Sequence, residues 1–274
     1  MTALGTVFRP QFPPEILRGM AEAADDSALD QLWVWEDCFS ESGVASAAAA
    51  LAWTERVSVG IGLLPVPLRN VALAAMEAAT LHRLFPDRVI LGVGHGLQVW
   101  MGQAGARVSS PLTLLREYLD ALRALLRGEE VTVDGTYVKL DKVRLDWPPL
   151  KPVPVFAGGI GPKTLRLTGE AADGTLAVAD QPADGVRRIR ETVGPTQPII
   201  AALHVTTGPD AAERLARAVP SGVGVAGDAE TVAAAVRTLA AVGADTVVLQ
   251  PTGDEPDPVG FVRFVADEVR PLVP

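Results

Sequence analysis

Short apolar runs rich in Val, Ile and Leu alternate with longer stretches of helical period about eight times between residues 4 and 269. This rhythm is the tightest constraint on what the chain can form. Strands are expected at residues 4–8, 32–35, 57–63, 89–93, 153–157, 174–179, 198–205 and 246–249. The clearest helix opens at Ser110-Pro111 and carries Leu115, Leu119, Leu122 and Leu126 at i, i+4, i+7 and i+11, with Gly128 ending it. Eight β/α repeats in 274 residues match the arithmetic of an α/β fold of the (β/α)8 TIM barrel type. A doubly wound open sheet is the rival, but at this length it needs fewer strands or a second domain. No composition break divides the chain, so residues 1–274 are read as a single domain.

Residues 129–152 break the rhythm with VTVDGTYVKL, an alternating strand pattern around Asp134-Gly135, followed by the proline-rich WPPLKP. An inserted hairpin and connector are expected there. No apolar run approaches the roughly 18 residues that cross a bilayer. Residues 1–20 lack the basic start and uninterrupted apolar stretch of a secretory signal, so a cytoplasmic location is expected. One cysteine, Cys38, and histidines scattered at 82, 95 and 204 give no metal-binding spacing, and no metal is expected. A net charge of −9 argues against a nucleic-acid partner, because phosphate-backbone affinity needs clustered Lys and Arg.

In a barrel, chemistry gathers at the C-terminal ends of the strands. Strand 2 runs out into Trp33-Val34-Trp35-Glu36-Asp37-Cys38-Phe39, where carboxylates, a thiol and aromatics suit a hydride or proton site beside a flat ring; packed Trp residues and a solvated Glu36 are the structural alternative. Cys38 has no basic neighbour to activate it. Strand 3 ends in GIGLLPVPLRN, with Asn70 opening the next helix, and its glycines either admit a ligand or relieve crowding. Strand 4 ends with His95 between Gly94 and Gly96, which leaves the imidazole accessible. After strand 5, Gly158, Gly159 and Gly161 precede Pro162, so backbone N–H groups at a helix start would form a phosphate cradle. A plain tight turn is the alternative there.

The stretches WVWEDCF, ERVSVGIGLLPVPLRNVALAAMEAATLHRLFPDRVILGVGHG, LTLLREYLDALRALLRGEEVTVDGTYV and AGGIGPKTLRLTGEAADGTLAV together resemble the luciferase-like monooxygenase superfamily, particularly its F420-dependent oxidoreductase branch. The resemblance implies a homodimeric barrel with a flavin-type ring in its mouth. It places the cofactor against Gly62, Leu63, Asn70, Gly94, Gly96, Gly158, Gly159, Ile160, Gly161 and Ala179, with a non-proline cis peptide at Gly62-Leu63 behind the ring. Asp37 matches the acid found in F420-using relatives, while Cys38 stands where several carry His. Leu97 stands where relatives that oxidise sugar phosphates carry Glu. Asp37 and His95 are the expected proton-handling pair, and Trp35, Phe39 and Trp100 the expected substrate walls. The implied activity is hydride transfer between C5 of F420 and a small organic substrate. The alternatives are an FMN-dependent monooxygenase, a non-redox barrel lyase or isomerase of a phosphorylated metabolite, and a noncatalytic subunit.

Overall fold

The computed structural model describes residues 2–177 and 181–274. Its strands are β1 (Ala3–Phe8), β2 (Gln31–Val34), β3 (Ser58–Pro65), β4 (Val89–Gly94), β5 (Val131–Asp134), β6 (Lys139–Val143), β7 (Val155–Gly159), β8 (Gly174–Ala177), β9 (Ile199–Thr206), β10 (Val225–Ala226) and β11 (Thr246–Gln250). Eight of them, in the order β1-β2-β3-β4-β7-β8-β9-β11, pair in parallel, and the ring closes because β11 returns to β1. The fold is therefore the closed (β/α)8 barrel and not the open sheet. Helices α1 (Leu17–Asp25), α2 (Gly43–Trp53), α3 (Val71–Leu84), α4 (Gln98–Gln103), α5 (Pro111–Leu126), α6 (Pro162–Ala171), α7 (Ala183–Val193), α8 (Ala211–Ala218), α9 (Ala229–Ala241) and α10 (Pro258–Arg263) follow the strands.

Two apolar layers hold the ring. The outer one joins strand residues to the inner faces of the helices, including Leu115, Leu119, Leu122 and Leu126 of α5. The inner one is a separate cluster of Val7, Trp33, Phe156, Leu176, Ile200 and Val248, one residue from each of six strands, which fills the barrel. Trp33 is fully buried and pairs in register with Gly60, where an added Cβ would lie 2.4 Å from the indole. Phe156 occupies the same kind of space opposite Gly174, and Leu176 of β8 reaches across the barrel to Gly92 of β4, where an added Cβ would lie 2.4 Å from it. These three glycines make room for large side chains of other strands, which is the crowding alternative for Gly60. Gly60→Ala is expected to destabilise the protein by about 1–3 kcal/mol through overpacking, read as a lower urea midpoint at unchanged m-value.

The insertion is an antiparallel β5–β6 hairpin. Its loop is longer than a two-residue Asp-Gly turn, because the Glu117 carboxylate of α5 accepts the N–H groups of Thr136, Tyr137 and Val138 at 2.8–3.0 Å. The Tyr137 hydroxyl in turn accepts the Ser110 N–H at 2.8 Å, tying the hairpin to the start of α5.

On α3, His82 has a buried Nε2 with no hydrogen-bond partner among the described residues, and burial pushes its imidazole down to about 4, against a smaller upward pull from Asp87. The folded state therefore holds neutral His82, while the unfolded chain takes up a proton near the ordinary value of 6.5. Stability present above that value is lost as the pH falls towards 4, by up to roughly 3 kcal/mol. Urea titrations across this range should show that loss, and His82→Leu should flatten it.

Candidate active site at the barrel mouth

A cavity of about 740 Å³ opens at the C-terminal ends of the strands, a volume suited to a cofactor together with a small ligand. Its floor is apolar, with Leu63, Leu176, Ile200 and Val248 rising from the barrel interior. Leu97 and Ile160 line it while remaining 51% and 64% exposed, so an apolar rim faces solvent on both the β4 and β7 sides. The peptide bond between Gly62 and Leu63 is cis, where the pairing of β3 with β4 shifts between Ile61 and Leu64. A second cis bond, Cys38-Phe39, was not anticipated.

One side of the cavity is the loop from Gly158 to Gly161. Ser42, Asn70 and Ser110 cap α2, α3 and α5 with a side-chain oxygen, but α6 starts at Gly161 with no such cap. The first helical bond runs from the Leu165 N–H to the Gly161 carbonyl at 3.0 Å, leaving the Lys163 and Thr164 N–H groups ahead of it. A Cβ at Gly159 would collide with Thr164 at 2.2 Å, whereas one at Gly161 would meet nothing within 4 Å. The loop is therefore a close-packed cradle with open space above a positive helix end, which fits a phosphate.

Thr164 also receives His95, whose Nε2 lies 3.1 Å from its hydroxyl oxygen. His95 Nδ1 is sealed from solvent, and burial pushes the imidazole below the usual histidine range, an effect that a hydrogen bond with the Pro111 backbone opposes. Both ring nitrogens thus face protein. His95 belongs to the cradle side, separated from Asp37 by β3.

The opposite side is polar and was only partly legible. Asp37 lines the cavity, and burial raises its carboxyl above the ordinary carboxylate range while the Arg9 guanidinium pulls it back. Its neighbour Glu36 is not solvated: it takes both Arg69 Nη groups and the Gly43 N–H at 2.7 Å, while Arg69 Nε reaches Glu77 at 3.0 Å. This ion cluster anchors the loop that carries Asp37. Burial, then Glu36 and Asp37, push the Cys38 thiol up, away from thiolate chemistry. Gln250, which sequence reading missed, accepts the Trp35 Nε1–H at 3.0 Å and an Arg9 N–H at 2.8 Å, and its amide nitrogen meets His204 Nδ1 at 3.0 Å.

Of the residues expected at the site, Asp37, His95, Gly62, Leu63, Gly96, Gly158, Gly159, Ile160, Gly161, Trp35 and Trp100 line the cavity. Three stand elsewhere. Phe39 is 68% exposed and outside the lining. Asn70 is the cap of α3, accepting the Ala72 N–H at 2.8 Å. Gly94 makes room for Leu63, whose side chain would lie 2.7 Å from an added Cβ. Ala179 lies outside the described residues. Among the described residues, no group of His, Cys, Asp and Glu could hold a metal ion, and no helix is long and apolar enough to cross a membrane.

The fold and site are those of a closed parallel barrel with a glycine-rich loop and a half-buried acid on opposite sides of one mouth. The family model described as luciferase-like monooxygenase matches residues 4–223, and the chain belongs to that family. It is 33% identical over 181 residues to a 5,10-methylenetetrahydromethanopterin reductase from Methanolobus tindarius, covering 66% of this chain and 55% of that protein. An F420-dependent glucose-6-phosphate dehydrogenase from Nakamurella multipartita is 31% identical over 182 residues, covering 62% and 53%. The matched region spans about half the length of these curated relatives. Among solved structures, an F420-dependent secondary alcohol dehydrogenase in complex with an F420-acetone adduct shares the fold with a TM-score of 0.87 at 23% identity, covering 100% of this chain and 99% of that one.

Proposed function

We propose that this chain is an F420-dependent oxidoreductase that moves a hydride between the deazaflavin ring and a small organic substrate. The observation that carries the reading is the two-sided cavity: an uncapped helix start with a glycine cradle on one side, and a half-buried acid beside Arg9 and Gln250 on the other. The relatives named for F420, the F420-dependent glucose-6-phosphate dehydrogenases, supply the choice of cofactor. The cradle from Gly158 to Gly161 would hold its phosphate, and the Leu63 bulge would support its ring. When bound, the deazaflavin supplies hydride-transfer chemistry at C5, so the protein's work is orientation, exclusion of water and movement of a proton.

Asp37 is the residue for that proton. Burial keeps its carboxyl nearer to neutral than an exposed acid, so it can donate as well as accept. His95, which also lines the cavity, contacts Thr164 through Nε2 and is the second candidate for handling the proton from the cradle side. Trp35 and Trp100 wall the substrate space. One domain over residues 1–274, a homodimer and a cytoplasmic location complete the proposal.

Titration of the purified protein with F420 and with FMN, followed by intrinsic tryptophan fluorescence, tests it. Saturable quenching by F420 with weaker quenching by FMN is expected. Preference for FMN would move the assignment to the flavin monooxygenases, and binding of neither would remove it. Light scattering checks the dimer.

A further inference from the structure

On the cradle side, the positions of the hydrogens follow from which groups can donate. Pro111 has no backbone N–H, so in the bond between its backbone and the His95 ring the carbonyl must accept. His95 Nε2 is engaged by Thr164 Oγ1 at 3.1 Å, which leaves Nδ1 as the nitrogen that faces Pro111 and carries the proton. Burial favours the neutral ring. Nε2 is then a bare acceptor, and Thr164 must donate its hydroxyl proton to it.

An anion in the cradle would need that same proton. Thr164 lines the cavity with Gly158, Gly159, Ile160 and Gly161, and its backbone N–H lies ahead of the first helical bond of α6. A phosphate oxygen drawn to that N–H meets the Thr164 hydroxyl as well, because both groups belong to one residue. The phosphate oxygen and His95 Nε2 are both acceptors, and a hydroxyl has one proton to give. It serves one of them at a time.

Resting on the reading of the cradle as the phosphate site, we infer that Thr164 is a positioning residue that couples phosphate binding to protonation of His95. The Thr164 hydroxyl turns from Nε2 to a phosphate oxygen, and Nε2 takes one proton from solvent and donates it to Thr164 Oγ1. The ring becomes an imidazolium whose two N–H groups are paired with Pro111 and Thr164, and its charge lies one side chain away from the anion. No other bond changes. Among the described residues, the neighbouring elements bring no buried charge to the ring. Helix α4 carries none, the first charges of α5 and α6, Arg116 and Lys163, are exposed, and Glu36 and Asp37 stand across β3. Between the pKa of the ring in the free protein and its higher value in the complex, cofactor affinity falls as the pH rises, by up to about tenfold per pH unit.

Calorimetric titration with F420 at pH 7, in buffers of different ionisation enthalpy, counts the protons taken up on binding. The wild type is expected to take up at least about half a proton more than Thr164→Val, which keeps the shape of the side chain and loses the hydroxyl. Thr164→Ser keeps the hydroxyl and should match the wild type, whereas His95→Asn should lose the uptake as Thr164→Val does. Protons exchanged by F420 itself or by Asp37 are common to all four proteins and cancel in the comparison. Equal counts in wild type and Thr164→Val, or uptake that survives in His95→Asn, would overturn the inference. The wild-type pH profile requires no variant to fold: F420 affinity that stays flat or rises between pH 6 and 8.5 would also overturn it. Failure of F420 to bind would strike the proposed function instead, and FMN, which also carries a phosphate group, would then serve as titrant for the same count. Binding of neither would remove both.

Discussion

Asp37→Asn should lower kcat by about 10²-fold or more while leaving the affinity for F420 within a few-fold of wild type. The amide fills the same space and keeps the loop anchored, because that loop hangs on Glu36 and Arg69 rather than on the Asp37 carboxyl. What it loses is the exchangeable proton. Burial raises the Asp37 carboxyl and Arg9 pulls it down, so the protonated form persists to a higher pH than for an exposed acid. In the direction where Asp37 donates, turnover should fall as the pH rises through its folded pKa. In the reverse direction it should fall as the pH drops through that value. Asp37→Asn should abolish this limb of the profile in both directions. Steady-state kinetics across pH with separate F420 titrations would check it; normal turnover in the variant would assign the proton to another group.

The second large effect is expected at the cradle. Gly161→Leu should weaken F420 binding by about two orders of magnitude with little change in thermal stability. Gly161 is exposed, its φ of −76° suits any L-residue, and a Cβ there meets no protein atom within 4 Å, so the chain accommodates the new side chain. The leucine would then stand where a phosphate approaches the start of α6. Gly159→Leu gives a contrasting result. Its Cβ would strike Thr164 at 2.2 Å, so that variant should lose stability as well as affinity. Fluorescence titration and thermal melts on the two variants separate the effects. Unchanged affinity in Gly161→Leu would place the phosphate elsewhere.

Much of the barrel was legible because helical period and short β-branched runs are local properties, and eight alternations leave few closed arrangements. The cradle was legible for a similar reason: three glycines and a proline at a strand-to-helix junction describe a local turn. Gln250 was hidden because β9 and β11, reading IIAALHVT and TVVLQ, are buried on both faces. Apolar residues there do not alternate with polar ones, so period 2 cannot say which side chains point inward.

Residue type and local spacing were thus enough to place the eight barrel strands and most of the helices, though not the short α4 or β10. Tertiary structure alone decided what those residues meet. Gly60 is a space for Trp33 because parallel register sets the two opposite one another across 27 positions of chain. Glu36 became an anchor because Arg69, beyond β3, folds back onto it. His95 meets Thr164, and Asp37 comes under the charge of Arg9, because ring closure fixes the distances between strand ends. Those distances depend on the whole barrel and not on any segment of the chain, which is why the partners of the site could be identified only in the folded structure.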